Sequence, residues 1–119
     1  MSEILNDSVE ELVKKISLSK ITSVEICNAY IERINKFEKE VKAWAFFDKK
    51  LLLEKAKEAD DYKNSGKPTG PLHGIPVAVK DIVGTIEMQT ECGTPIRKGK
   101  SYSQNAEIID LLHSTGAIV

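Results

Sequence analysis

Residues 70–81 of this chain read GPLHGIPVAVKD. A loop punctuated by proline and glycine enters five consecutive apolar residues, 75–79, which end on Lys80 and Asp81. An apolar run without a polar face is typical of a strand that is covered on both sides, as in a parallel sheet. Pro76 belongs at the start or on an edge of such a strand, because it has no N–H to donate. The pattern predicts a buried strand with Lys80 at its carboxyl end.

The position of Lys80 suggests that this side chain takes part in a reaction. Open α/β sheets bind their ligands beyond the carboxyl ends of their strands. Partial desolvation of an ammonium at such a place favours its neutral form, which can act as a base at neutral pH. From the position alone, an ordinary strand-end lysine whose head reaches water beside Asp81 is the more common case.

The stretch 70–81 closely resembles the entry to the amidase signature family of Ser–cisSer–Lys hydrolases. Residues 88–96, MQTECGTPI, are similar to the next loop of that family, and residues 116–119, GAIV, to its following strand. The resemblance covers the whole chain. It implies an α/β fold, the amino-terminal part of an amidase-signature fold, with helices packed on a mixed, mainly parallel sheet. The chain would then be a single partial domain, in which residues 1–66 form a helical region with one strand and residues 67–119 begin the core.

The resemblance also implies a role for Lys80. In the family, this lysine is the base that relays a proton through a cis-configured serine to a nucleophilic serine, which attacks an amide carbonyl and forms an acyl-enzyme. Lys80 is the only catalytic residue that carries over. We expect Asp81 and Gly74 to support the site structurally, Asp81 by anchoring the turn or balancing nearby charge.

The loop after Lys80 resembles a segment beside the family's substrate pocket. This makes Cys92, Gly93 and Thr94 candidates for substrate binding, although a turn held by Gly93 and Pro95 explains the same residues.

The loop departs from the family pattern at three positions. Gly84 stands where relatives commonly carry an aspartate, Gln89 where a proline is frequent, and Asn105 where an aspartate often caps the next helix. The first two departures loosen the expected pocket geometry, whereas asparagine and aspartate cap helices about equally well.

The glycine- and serine-rich segment that carries both catalytic serines of the family has no counterpart in residues 1–119. The resemblance therefore implies the amino-terminal segment of an amidase for a small-molecule amide, inactive alone. Two alternatives stay open: part of the glutaminase subunit of a tRNA-dependent amidotransferase, and a non-catalytic binding or assembly module. We expect no cofactor and no metal. The expected partners are the amide substrate and either the remainder of the amidase fold or a self-associating copy.

Composition narrows the class of protein. The chain is 41% hydrophobic and 29% charged with a net charge of −1, which argues against nucleic acid or an anionic membrane as a partner. No apolar run approaches the roughly 20 residues that span a bilayer. The two cysteines, Cys27 and Cys92, fit no metal-binding spacing. These features predict a cytoplasmic protein with reduced thiols.

Helix start signals are clear in the amino-terminal half. Ser8 with Glu11, and Thr22 with Glu25, have the spacing of capping boxes before amphipathic stretches. A third helix is predicted after Asp48. The cysteine on the second helix is expected to be a small core residue.

Other elements are predicted from local composition. Residues 41–47 are aromatic and β-prone, which predicts a strand. Gly66 suits the left-handed position after a helix, and His73 is expected to fix backbone by hydrogen bonding rather than to act as a base.

The last helix is predicted from Asn105, as its N-cap, to about Ser114, with Ile108, Leu111 and Leu112 on its buried face. A strand–loop–helix–strand order implies that residues 117–119 pair in parallel with the strand before Lys80. A strand of three residues at the chain end predicts a truncated sheet.

Overall fold

The computed structural model describes residues 4–119. Within that range the chain forms four α-helices and two short 3₁₀ turns. The helices are α1 (Val9–Ser17), α2 (Ser23–Val41), α3 (Lys49–Asn64) and α4 (Glu107–Ser114), and the 3₁₀ turns are Ile4–Asn6 and Pro95–Arg97. None of these helices is long and apolar enough to cross a membrane.

Both predicted capping boxes are confirmed. At α1, the Ser8 hydroxyl accepts from the Glu11 N–H at 3.2 Å, and the Glu11 carboxylate accepts from the Ser8 N–H at 2.7 Å. At α2, Thr22 and Glu25 make the same pair of bonds at 3.1 and 2.8 Å. Each box satisfies backbone donors that a helix N-terminus otherwise leaves without partners.

A second acidic group holds the start of α2. Asp60, on α3, accepts hydrogen bonds from the backbone N–H groups of Ser23 at 2.7 Å and Val24 at 3.1 Å. A carboxylate is favoured at the positive end of a helix dipole. Asp60 thus fixes the relative position of α2 and α3 as well as capping one of them.

Replacing Asp60 by alanine is expected to lower the free energy of unfolding by about 1–2 kcal/mol, the cost of losing a helix cap. Asp61→Ala is the matched control, because Asp61 makes only an exposed i,i+4 ion pair with Lys57 at 2.6 Å. Urea denaturation of both variants measures the difference. Equal losses would show that the Asp60 bonds add nothing to the tie between the helices.

Seven of the buried side chains form two clusters. One joins α1, α2 and the stretch before Lys80, and the other joins α2, α3 and the chain end. Their buried members are Leu12, Ile16, Ile26 and Ile75 in the first, and Cys27, Ala56 and Ile118 in the second.

Parallel pairing connects these two clusters. Pro76 pairs with Ile118 in a parallel bridge. The Val77 N–H donates to the Ile118 carbonyl at 2.8 Å, and the Ile118 N–H donates to the Ile75 carbonyl at 2.9 Å. The predicted parallel direction is confirmed, but within residues 4–119 it extends no further than this bridge.

The prediction of a strand covered on both sides is wrong for the described residues. Ile75 is buried, whereas Ala78 and Lys80 are exposed. The faces of a strand are covered by side chains packed above and below it, and among the described residues such packing reaches Ile75 but not Ala78. The ladder is one-sided as well, because residues 116–118 supply a neighbour on one edge only. The mixed, mainly parallel sheet expected from the family is therefore present only as this single bridge.

The predicted strand at 41–47 is also wrong. Val41 is the last residue of α2, and Lys42 leaves the helix in a left-handed conformation with φ of 50°. The Glu38 side chain then accepts from the Trp44 N–H at 2.9 Å. The backbone of residues 43–47 makes no hydrogen bond with the backbone of another described residue, so this β-prone segment does not form a ladder.

Asn105 does not cap α4 as predicted. The helix begins at Glu107 with Ala106 in the N-cap position. The Asn105 Oδ1 instead accepts from the Ile86 N–H at 2.9 Å, and its Nδ2 donates to Asp110 at 2.9 Å. The asparagine therefore ties the preceding loop to the helix, and the helix starts later.

The buried face of α4 differs from the prediction as well. Ile109 is 1% exposed and is the buried residue of this helix, whereas Ile108 and Leu111 are 52% and 54% exposed. Leu112, the third predicted residue, is half-buried. Gly116, with φ of 83°, follows the helix as expected for a left-handed terminator.

The structural role predicted for His73 is confirmed. The ring is 7% exposed, and its Nε2 lies 2.9 Å from the Ala59 carbonyl of α3. The Tyr62 ring lies against it, with 5.7 Å between the ring centroids. His73 thereby anchors the loop before the parallel bridge to α3.

Candidate functional site

Lys80 lies on the wall of an open cavity of about 500 Å³. Four parts of the chain line this cavity: residues 77–81, the segment after α2, the loop that follows Lys80, and Val119. Most of the wall is apolar, and its largest side chains are Trp44, Phe46 and Met88. The cavity therefore places an amine beside an apolar surface.

The Lys80 side chain is exposed, and no residue of the range 4–119 forms an ion pair with it. The partial burial that the sequence predicted for this ammonium is thus not provided by the described residues. Lys80 lies four residues after Pro76, the residue that pairs with Ile118, and its catalytic role stays a prediction.

Asp81 holds the loop that follows Lys80. Its Oδ1 accepts from the Glu91 N–H at 2.9 Å, and its backbone carbonyl accepts from the Cys92 N–H at 2.9 Å. These two bonds fasten the turn at residues 91–94 to the end of the apolar run. The geometry agrees with an anchoring role for Asp81.

Cys92, Gly93 and Thr94 form this turn. Cys92 and Gly93 both have positive φ, 55° and 67°, and the Thr94 N–H donates to the Glu91 carbonyl at 3.1 Å. None of the three lines the cavity that contains Lys80. Their role in substrate binding stays a prediction, and the turn expected as the alternative is the geometry observed.

Two buried threonines that the sequence reasoning missed stabilise the same loop. Thr85 is 3% exposed, and its hydroxyl exchanges hydrogen bonds with the Met88 backbone at 3.0 and 3.1 Å. Thr90 is 1% exposed, and its carbonyl accepts from the Arg97 side chain at 3.1 Å. The signal that could have indicated the Thr85 turn is the threonine itself, because a threonine hydroxyl in a loop can hydrogen-bond to the backbone of nearby residues.

Gly74 supports the segment that leads to Lys80. Its φ is 74°, and its N–H donates to the Gly116 carbonyl at 2.9 Å. A Cβ at this position would overlap the Ser23 hydroxyl and lie 3.1 Å from the Ser23 Cβ. Only glycine allows the loop to approach the start of α2 this closely.

Gly84, one of the positions where the sequence departs from the family pattern, lies against the Tyr102 ring. A Cβ here would lie 2.9 Å from the Tyr102 ring. The ring is itself covered by the Arg97 guanidinium, 5.0 Å from its centroid. An aspartate at position 84 would therefore require this aromatic side chain to move.

Neither cysteine belongs to a recognisable reactive site. Burial raises the pKa of the Cys27 thiol to about 12, and the nearby Asp60 charge adds to the effect. A thiol with such a pKa is a poor nucleophile at neutral pH. Cys92 is exposed in its turn. Within residues 4–119 no group of three or more His, Cys, Asp or Glu side chains could hold a metal ion.

Comparison with known sequences identifies relatives. The A subunit of the glutamyl-tRNA(Gln) amidotransferase from Lachnospira eligens is 35% identical over 116 residues, which are 98% of this chain and 24% of that protein. The protein of the same name from Leptospira interrogans is 34% identical over 119 residues, 100% of this chain and 24% of its own length. The chain thus spans about a quarter of the length of the curated relatives it matches.

Comparison with solved structures also identifies relatives. Fatty acid amide hydrolase superposes with a TM-score of 0.88 at 28% identity, over 97% of this chain and 20% of the hydrolase. An amidase family protein from Bacillus anthracis str. Ames superposes with a TM-score of 0.87 at 30% identity, over 99% of this chain and 24% of that chain. The protein-family model described as Amidase matches residues 25–119. This chain therefore belongs to the amidase family.

Proposed function

We propose that the complete protein containing these residues hydrolyses the C–N bond of a small-molecule amide, with Lys80 as the base of a Ser–cisSer–Lys mechanism. The observation that carries this proposal is the position of Lys80, four residues after the Pro76 bridge and on the wall of a largely apolar cavity. In the proposal, residues 1–119 supply the base and its anchored loop, and both serines come from polypeptide outside this range. The cytoplasmic location predicted from the sequence fits this role.

The proposed chemistry balances without a metal or cofactor. Neutral Lys80 accepts a proton from the cis-configured serine, which accepts the proton of the nucleophilic serine as that oxygen attacks the amide carbonyl. The cis-configured serine then donates a proton to the leaving ammonia or amine and takes one back from Lys80. Water finally hydrolyses the acyl-enzyme. Lys80 can begin this relay only if its charged form is destabilised. Since Lys80 is exposed among the described residues, the desolvation must come from the rest of the amidase fold.

A second candidate is the glutaminase activity of an amidotransferase. The observation in its favour is the 35% and 34% identity to the two amidotransferase proteins over nearly the whole chain. In this case the amide would be that of glutamine, and the ammonia would pass to a partner enzyme rather than to solvent.

Ammonia release by the complete protein tests both candidates. The substrates are a panel of small aliphatic and aromatic amides together with L-glutamine, and Lys80→Ala supplies the background. We expect turnover of at least one small amide that is lost in the variant. Turnover of glutamine alone would assign the second candidate. No turnover of any amide would contradict both and favour the non-catalytic module.

A further inference from the structure

An ion pair connects α3 to the loop that follows Lys80. The Lys55 Nζ, on α3, donates to the Glu87 carboxylate of that loop, 32 residues later in the chain. The Lys55 side chain is 20% exposed and that of Glu87 is 39% exposed. Two other ion pairs of α3 lie along the helix itself, and their side chains are 58–85% exposed. The Lys55–Glu87 pair is therefore less screened by water than these two, and it joins separate elements of the fold.

The part of the loop that contains Glu87 is also fastened to the start of α4. The Asn105 Oδ1 accepts from the Ile86 N–H at 2.9 Å, and Asn105 lies two residues before that helix. In the described chain, no second hydrogen bond or ion pair joins α3 to residues 84–89. The bond from Lys55 is thus the one polar contact that sets the distance from this part of the loop to α3.

Met88 is the residue that this arrangement positions. It follows Glu87 directly, is half-buried, and lies on the wall of the cavity beside Lys80. The Thr85 hydroxyl accepts from the Met88 N–H at 3.0 Å and donates to the Met88 carbonyl at 3.1 Å, so this segment forms one turn. Lys55 itself does not line the cavity that contains Lys80. Its influence on the site therefore passes through Glu87 and the turn.

The position of the Met88 backbone determines where this part of the cavity wall lies. A methionine side chain is flexible and adapts to its neighbours, so it does not fix its own place. We propose that Lys55, through its ion pair with Glu87, is a positioning residue that holds Met88 at the wall and thereby strengthens binding of the apolar part of an amide substrate. The inference rests on the proposed hydrolysis of an amide at Lys80, and it adds a determinant of substrate affinity.

Steady-state kinetics of the complete protein test the proposal. Lys55→Gln and Glu87→Gln each remove one charge of the pair, and Lys57→Gln, which breaks an exposed ion pair on the same helix, is the control. We expect each of the first two variants to raise KM for a bulky apolar amide about tenfold, the effect of one lost apolar contact in a pocket. A contact made equally in the ground state and the transition state leaves kcat unchanged. KM for acetamide should rise less, because acetamide offers little apolar surface.

Exchanging the two charges separates the pair from a general effect of charge. The double variant Lys55→Glu with Glu87→Lys restores the attraction and should return KM to within about threefold of the wild-type value, since the two positions are coupled. Three results would overturn the proposal: a fall in kcat with unchanged KM, the same rise of KM in Lys57→Gln, or no recovery in the exchanged variant. Glu87→Gln, in the loop, decides the test if Lys55→Gln does not fold.

A measurement that needs no turnover distinguishes this inference from the proposed function. In protein labelled with methyl-¹³C methionine, the Met88 methyl signal, assigned with Met88→Leu, should shift in Lys55→Gln and Glu87→Gln and stay in place in Lys57→Gln. Wild-type turnover together with an unmoved Met88 signal in all variants would overturn this inference and leave the proposed function standing. Absence of turnover by the wild type would overturn the proposed function and this inference with it.

Discussion

Replacing Lys80 by arginine in the complete protein is expected to slow acylation by an amide at least about a hundredfold, about 2.7 kcal/mol in the barrier. A guanidinium with a pKa above about 12 keeps the positive charge but cannot release its proton to act as a base. Lys80 is exposed at the end of its segment, so the substitution should leave the fold intact. The rate of acyl-enzyme formation with a slowly hydrolysed amide is the measurement.

Two variants accompany this test. Lys80→Ala should fail as badly as Lys80→Arg, and Lys98→Arg, at another exposed lysine in the following loop, should leave the rate unchanged. If Lys80 only contributes charge beside Asp81, arginine will preserve activity. A decrease smaller than about tenfold, or 1.4 kcal/mol, would make Lys80 a structural residue and the proposed mechanism wrong.

The second large effect is expected at Gly74. Gly74→Ala should lower the free energy of unfolding by about 2–5 kcal/mol, measured by urea denaturation. About 1–2 kcal/mol comes from a side chain in the left-handed region, and about 1–3 kcal/mol from overpacking. The added Cβ would overlap the Ser23 hydroxyl, which is fully buried.

Two comparisons separate these contributions. Gly66 has a similar φ of 77° but no atom within 4 Å of an added Cβ, so Gly66→Ala should show the conformational cost alone. Ser23→Ala removes the overlapping hydroxyl, which has no hydrogen-bond partner in the range 4–119, and should partly restore the stability of Gly74→Ala. Equal losses at Gly66 and Gly74 would show that the contact with Ser23 is relaxed at no cost.

The sequence predicts the starts of α1 and α2 well because their determinants are local. Ser8 and Thr22 each find a glutamate three residues later, and the same residues supply both donors and acceptors of the cap. The ends of α3 and α4 are determined locally in the same way. Gly66 and Gly116, which follow these helices, take the left-handed conformation that glycine adopts easily.

The strands are predicted poorly because a ladder needs a neighbour. Residues 41–47 and 75–79 have β-prone composition, but composition does not state which segment pairs with them. Ile118 provides one neighbour for the second segment, and no described residue provides one for the first. The exposure of Lys80 does not follow from composition either, since burial depends on neighbours that the local sequence does not specify.

The site was predicted in part. Lys80 and the anchoring role of Asp81 follow from the motif, whereas the aromatic wall of Trp44 and Phe46 does not, because it is distant in sequence.

The face of α4 was misassigned for another reason. Apolar residues at 108, 109, 111 and 112 permit two overlapping stripes, and only the docking of Ile109 selects between them.

The capping boxes and the parallel bridge differ in the conformational entropy that each one costs. A cap closes a loop of residues three apart, whereas the pairing of Pro76 with Ile118 orders the long segment between them. Each doubling of a flexible loop adds about 0.6 kcal/mol to the entropic cost of closure. The amino-terminal helices therefore need the least help from the rest of the chain to become ordered. The stretch that presents Lys80 needs the most.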